Sequence, residues 1–155
     1  MEILINYALV TLITFLGLFV GFILALIAKE ELKPGKHYFI LLQNLIFSLI
    51  IFFLLFYNDL MIWLSALIAF LTFIFLRKSK VKPIATYLSL AVIFNAAFRN
   101  RLSVFILIAS LIFIYGIPIG SLLTYNLKNK KSKVIKDILI KYGIFIPIAL
   151  VLFFL

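Results

Sequence analysis

The chain has 155 residues, of which 66% are hydrophobic and 18 are Phe, with a net charge of +10 and no cysteine. A soluble domain is about half apolar, so this composition would leave wide apolar surface in water, and lipid is the natural solvent. Missing cysteine excludes disulfides and thiolate metal sites, and the cations speak against nucleic acid because they sit in short clusters between apolar runs, where they orient membrane spans.

The first uncharged run covers residues 3–28. It is longer than the core of a signal peptide and is preceded by Glu2 rather than by Lys or Arg, so it is expected to be retained as a span. Within it, Gly17 and Gly21 form a small-xxx-small pair in "GLFVG", with Ala25 on the same face. Small residues four apart let two backbones approach closely. Packing within the chain is the first reading and dimerisation the second.

"KEELKPGKHYF" (29–39) follows, with an adjacent acidic pair and the sole histidine. Lys33-Pro34-Gly35-Lys36 reads as a turn. Glu30, Glu31 and His37 are three donors on one loop with no second histidine, a poor metal set, so a solvated loop is expected. Runs 38–57 and 60–76 come next, joined by Tyr57-Asn58-Asp59 as a tight helical hairpin. Gln43 and Asn44 are costly against lipid and should face another helix, either in interhelical hydrogen bonds or at a ligand.

Run 84–98 has about 15 residues, or roughly 22 Å of helix, short of the ~30 Å hydrocarbon core. Pro83 suits a first helical turn, Lys82 and Arg99 can snorkel from its ends, and the bilayer can thin locally. Burial among other helices is the alternative. Asn95 is a neutral polar residue inside this run.

Run 102–127 carries a second pair, Gly116 and Gly120 in "YGIPIGS", with Pro118 between them. Proline removes a backbone hydrogen bond and kinks or opens a helix, and Ser121, Thr124 and Asn126 lie within reach of freed carbonyls. Interrupted helices are where transporters build substrate sites, so a simple kink and a solute site are both open. The last run, 138–155, has Pro147 four residues after Gly143. Ahead of it, Lys128, Lys130, Lys131, Lys133 and Lys136 have an apolar counter-face in Ile135, Ile138 and Leu139. These lysines are candidate anionic-lipid contacts, at about 1 kcal/mol each near the surface. Trp63 and the tyrosines lie mostly near run ends, as interfacial anchors do.

The runs are continuous rather than alternating, so they are helices and not barrel strands. With six spans, thirteen cations fall on one side and two, Arg99 and Arg101, on the other. If run 84–98 does not cross, the division becomes nine against six. The loops are short enough for charge bias to apply, and it favours six.

The expectation is therefore an all-α polytopic bundle of about six spans (3–28, 38–57, 60–76, 84–98, 102–127 and 138–155), one integral domain over 1–155 with no soluble domain. It would sit in the cell membrane with its basic loops cytoplasmic and both termini outside. No Asp, Glu, Lys, Arg or His lies at mid-depth in any run, which argues against a proton-coupled pump. No nucleophile–base pair, phosphate loop, nucleotide fingerprint or metal cluster is present, so neither catalysis nor a cofactor is expected. The leading reading is a non-enzymatic membrane protein acting as a helix-packing subunit or lipid-associated component. Its partners would be the bilayer, anionic lipid, and a membrane-protein partner or second copy, not nucleic acid. The alternative is a small transporter or channel for a neutral or anionic solute, with its site around Gln43, Asn44, Asn95, Gly116, Pro118 and Gly120. A lipid-modifying enzyme is the weakest reading, because acids and bases are so few.

Overall fold

A computed structural model describes residues 1–79, 81–126 and 131–155. Among them there is no strand, and the chain is all-helical. The helices are α1 (Glu2–Ile27), α2 (Leu32–Tyr57), α3 (Ile62–Lys78), α4 (Pro83–Phe98), α5 (Leu102–Asn126), α6 (Lys131–Asp137) and α7 (Phe145–Phe153), with a π-helical turn at Ile138–Tyr142 between the last two. Three of them, α1, α2 and α5, are long and apolar enough to cross a membrane, and α4 is a shorter apolar helix.

The centre of the bundle is the contact between α1 and α5. A methyl group at Gly17 would overlap the Phe113 carbonyl, and one at Gly21 would overlap the Ile117 carbonyl. From the other side, a methyl at Gly116 would lie 2.8 Å from the Leu18 nitrogen, and one at Gly120 would overlap the Leu18 carbonyl. Both glycine pairs are thus used against each other, and the two backbones touch. The partner numbers rise together, so α1 and α5 run in the same direction. Ser121 seals the contact by donating from Oγ to the Gly21 carbonyl at 3.0 Å.

The other helices are laid on this pair. α2 packs on α5, α3 packs on α2, and α4 packs on α5 and α7. In α4, Tyr87, Leu90, Ala91, Phe94 and Ala97 are fully buried. The opposite face of α4, with Ala85, Ser89, Val92 and Ala96, is exposed. At its far end, the Tyr7 ring is surrounded by Phe94, Phe98, Phe105 and Phe153, with centroids 4.8 to 6.0 Å away. The Tyr7 hydroxyl donates to the Ala149 carbonyl of α7 at 3.0 Å.

Several boundaries differ from the sequence expectation. Lys33-Pro34-Gly35-Lys36 is not a turn but the first turn of α2, where the Gly35 amide donates to the Glu31 carbonyl at 2.8 Å. Proline is tolerated there because first-turn amides have no helical acceptor. α5 runs unbroken through Pro118. Ser121 leaves its own helix for α1, and Thr124 donates to the Gly120 carbonyl at 2.9 Å, so neither serves the Ile114 carbonyl that proline frees. The Asn126 side chain lies outside the described residues.

The last run is divided. The Gly143 amide donates to the Ile138 carbonyl, closing the π turn, and a new helix begins at Phe145. Pro147 sets this restart, since it has no amide to offer the Gly143 carbonyl, which instead accepts from Ile146 at 3.1 Å. The extra residue of the π turn keeps Val134, Ile138, Tyr142, Phe145 and Ala149 on one buried stripe.

Gly17→Ala and Gly21→Ala should each destabilise the bundle by about 1–3 kcal/mol, because backbone carbonyls cannot move aside as side chains do. Gly35→Ala meets only the edge of the Phe39 ring, at 3.1 Å, and should be neutral or stabilising by up to ~1 kcal/mol. Helicity followed during thermal unfolding in detergent micelles checks the contrast.

Candidate functional site: a buried polar chain beneath a basic end

Each α1, α3 and α5 C-terminus lies at the same end of the bundle as the α2 and α4 N-termini. The Lys36 ammonium sits 5.2 Å from the centre of the Tyr125 ring, which ties the start of α2 to the end of α5. His37 and Arg77 line one small pocket, which ties α2 to the end of α3. Tyr142 packs edge-on to Tyr87 at 5.4 Å, which brings the π turn beside the start of α4. Lys29, Lys33, Lys36, Arg77, Lys78 and Lys82 therefore share one end, with Lys131, Lys133 and Lys136 on the helix that leads into the π turn. Lys80, Lys128 and Lys130 lie outside the described residues.

Arg99 and Arg101 stand at the opposite end. The Asn100 side chain between them donates to the Tyr57 carbonyl at 3.2 Å and to Asn58 Oδ1 at 3.3 Å, and accepts from the Arg101 amide at 2.8 Å. One asparagine thus fastens the α4–α5 turn to the α2–α3 turn.

Beneath the basic end a polar chain crosses three helices. Gln43 Nε2 donates to the Tyr115 hydroxyl at 3.1 Å, Tyr115 donates to Thr86 Oγ1 at 2.8 Å, and Thr86 donates to the Pro83 carbonyl at 2.9 Å. Each hydroxyl accepts and donates once, so the bonds polarise one another. Pro83 makes this possible: as the first residue of α4 its carbonyl takes the Thr86 hydroxyl. The Tyr87 hydroxyl, one residue on, is buried without a hydrogen-bond partner among the described residues, under the stacked Tyr115 ring 6.4 Å away.

A void of about 30 Å³ lies beside the chain, lined by Gln43, Pro83, Ile119, Leu122, Leu123 and Tyr142. That is room for a water molecule, far below the several hundred Å³ of a small-molecule pocket. Spaces of about 500 Å³ and 440 Å³ do exist, but they are open grooves on the outer surface, between α1 and α5 and between α2 and α3.

The residues named from sequence do not form one site. Gly17, Gly21, Gly116 and Gly120 are filled by backbone of the facing helix, and Pro118 lies within that contact zone. Gln43 joins the polar chain, whereas Asn44 lines the small pocket with His37 and Arg77. Asn95 sits further along α4, its Oδ1 buried without a partner among the described residues. Among the described residues no three His, Asp or Glu side chains converge on a metal position. Lys141 pairs with Asp137 at 2.8 Å on the exposed surface.

Tyr115, Thr86 and Tyr87 were missed as site residues. Tyr7, Tyr87, Tyr115 and Tyr142 are buried rather than interfacial, at 0 to 4% exposure, whereas Trp63 and Tyr38 are 85% and 73% exposed. The available signal was spacing, since Tyr87 shares its helix face with Leu90, Ala91 and Phe94. Comparison with family models, curated proteins and solved structures finds no match for this chain.

Tyr115→Phe should cost about 1–3 kcal/mol, because it strands the buried Gln43 amide. Gln43→Leu removes the donor and leaves Tyr115 its bond to Thr86, so it should cost less. Chemical denaturation of the two single variants and the double variant in micelles measures the coupling, which should be well above zero.

Proposed function

We propose that the chain is a non-enzymatic, six-span membrane protein whose basic end faces the cytoplasm and engages anionic lipid headgroups. The carrying observation is the segregation of charge by the fold: helices α1, α3 and α5 all run toward the end that bears Lys29, Lys33, Lys36, Arg77, Lys78 and Lys82, away from Arg99 and Arg101. Loop cations set orientation in this sense, and both termini then lie outside. α3, α4 and the α6–α7 segment are the three spans that length and apolarity alone do not select. The apolar outer faces of all three, with Phe70, Val92 and Val151 more than half exposed, and the buried inner faces of α4 and α7 support counting them.

The apolar exterior agrees with this solvent. Leu9, Ile13, Phe70, Phe75 and Val92 are more than half exposed, an arrangement that lipid tolerates and water does not. A cluster of four to eight cations beside membrane spans draws anionic lipid at about 1 kcal/mol each. The transporter reading has less support, because the space beside the polar chain admits about one water and the glycine positions are occupied by packing.

The native chain has no cysteine, so single thiols report topology directly. In intact cells, Asn100→Cys and Met61→Cys should react with a membrane-impermeant reagent, and Ser132→Cys should react only after the cells are opened. Protection of position 100 until lysis would return α4 to the basic side and remove the six-span arrangement.

A further inference from the structure

Two cavities meet along the seam between α2 and α3. Toward the basic end, a small pocket of about 30 Å³ is lined by His37, Ile40, Leu41, Asn44, Phe73 and Arg77. Toward the bilayer middle, an open groove of about 440 Å³ continues from Phe73 along Leu49, Phe52, Ala66 and Phe70. Phe73 lines both. The first gathers a guanidinium, an imidazole and a carboxamide, and the second is apolar except for Ser48.

We infer that this seam holds one anionic phospholipid, its phosphate at Arg77, His37 and Asn44 and one acyl chain in the groove. Charge complementarity supports the head position. A guanidinium presents a planar fork of donors that fits phosphate oxygens, and a carboxamide adds donors without charge. Length supports the tail position. From Arg77 back to Ala66 the helix rises about 16 Å, roughly half of a ~30 Å hydrocarbon core, which is the depth one acyl chain occupies in its leaflet.

The groove exists because α3 touches the bundle through α2, burying only Ser65 and Ala69 along its length. Small residues at Ala66 and Ala69 then face the larger Leu45, Leu49 and Phe52, and the space between is left to the solvent, which here is lipid. The groove between α1 and α5 is of similar size, yet no cation lines it, so it serves as an internal control. The site rests on the membrane orientation proposed above, which the thiol labelling reads separately.

The test uses full-length protein reconstituted in mixed phosphatidylglycerol and phosphatidylcholine vesicles, extracted in mild detergent and weighed intact by native mass spectrometry. Wild type should retain one phosphatidylglycerol. Arg77→Gln, at an exposed position, should lower its retention about tenfold, as expected for one lost charge-assisted contact, and Ala66→Trp should lower it by filling the groove. Ile114→Trp, in the other groove, should leave it unchanged. Glycerol 3-phosphate, which has the head and no tail, should not displace the lipid. Equal retention in Arg77→Gln and Ala66→Trp, equal retention of phosphatidylcholine, or displacement by glycerol 3-phosphate would each overturn the seam site, whatever the labelling shows about topology.

Discussion

Backbone-to-backbone contact between α1 and α5 is the constraint on which the rest of the bundle depends. In lipid, apolar side chains gain nothing by leaving their solvent, so helices associate through close packing and directed polar bonds. Four glycines provide the first and the Ser121 hydroxyl provides the second. Once α1 and α5 are fixed in parallel, one side of α5 is left for α2 and another for α4, and α7 closes against both α1 and α4. α3 is the helix furthest from this centre. It is accordingly the most exposed, and it leaves the seam in which a lipid can lie.

The polar groups follow the same economy. Gln43, Tyr115 and Thr86 come from three helices and satisfy one another in sequence, so each fixes the rotation of its helix about its own axis as well as its contact. Aromatic packing works toward the same end from the opposite side: Tyr7 is held among four phenylalanines and is bonded to the Ala149 carbonyl. Thus α1 and α7 are pinned at one end, and α2, α4 and α5 at the other. A bundle pinned at both ends with a glycine contact between them has little freedom to rock.

Much of the helical layout is legible in the sequence because charge interrupts it. The first, second and fifth helices are built on long uncharged runs, and Gly17, Gly21, Gly116 and Gly120 mark where backbones can meet. Four things are not legible there. Pro34 suggests a turn, yet a proline in the first turn of a helix breaks nothing, so α2 starts earlier than composition implies. The final run looks continuous, yet Pro147 divides it, and a π turn restores its phase. Tyr87 and Tyr115 look like interfacial anchors, because helices that are apolar on every side show no polar face to reveal which residues point inward. Which glycine pair meets which, and in what direction, follows from packing geometry that spacing alone does not encode.

The parallel pairing of α1 with α5 also sets an order of events during synthesis. The contacts of Gly17 and Gly21 lie at Phe113 and Ile117, close to a hundred residues downstream. When α1 is made its glycine face therefore has no partner, and it stays without one while three further helices are made. Through that interval it presents a small-xxx-small surface to every other helix in the same membrane, including a second nascent copy of itself. The central contact of the bundle can thus close only once the fifth helix has been made.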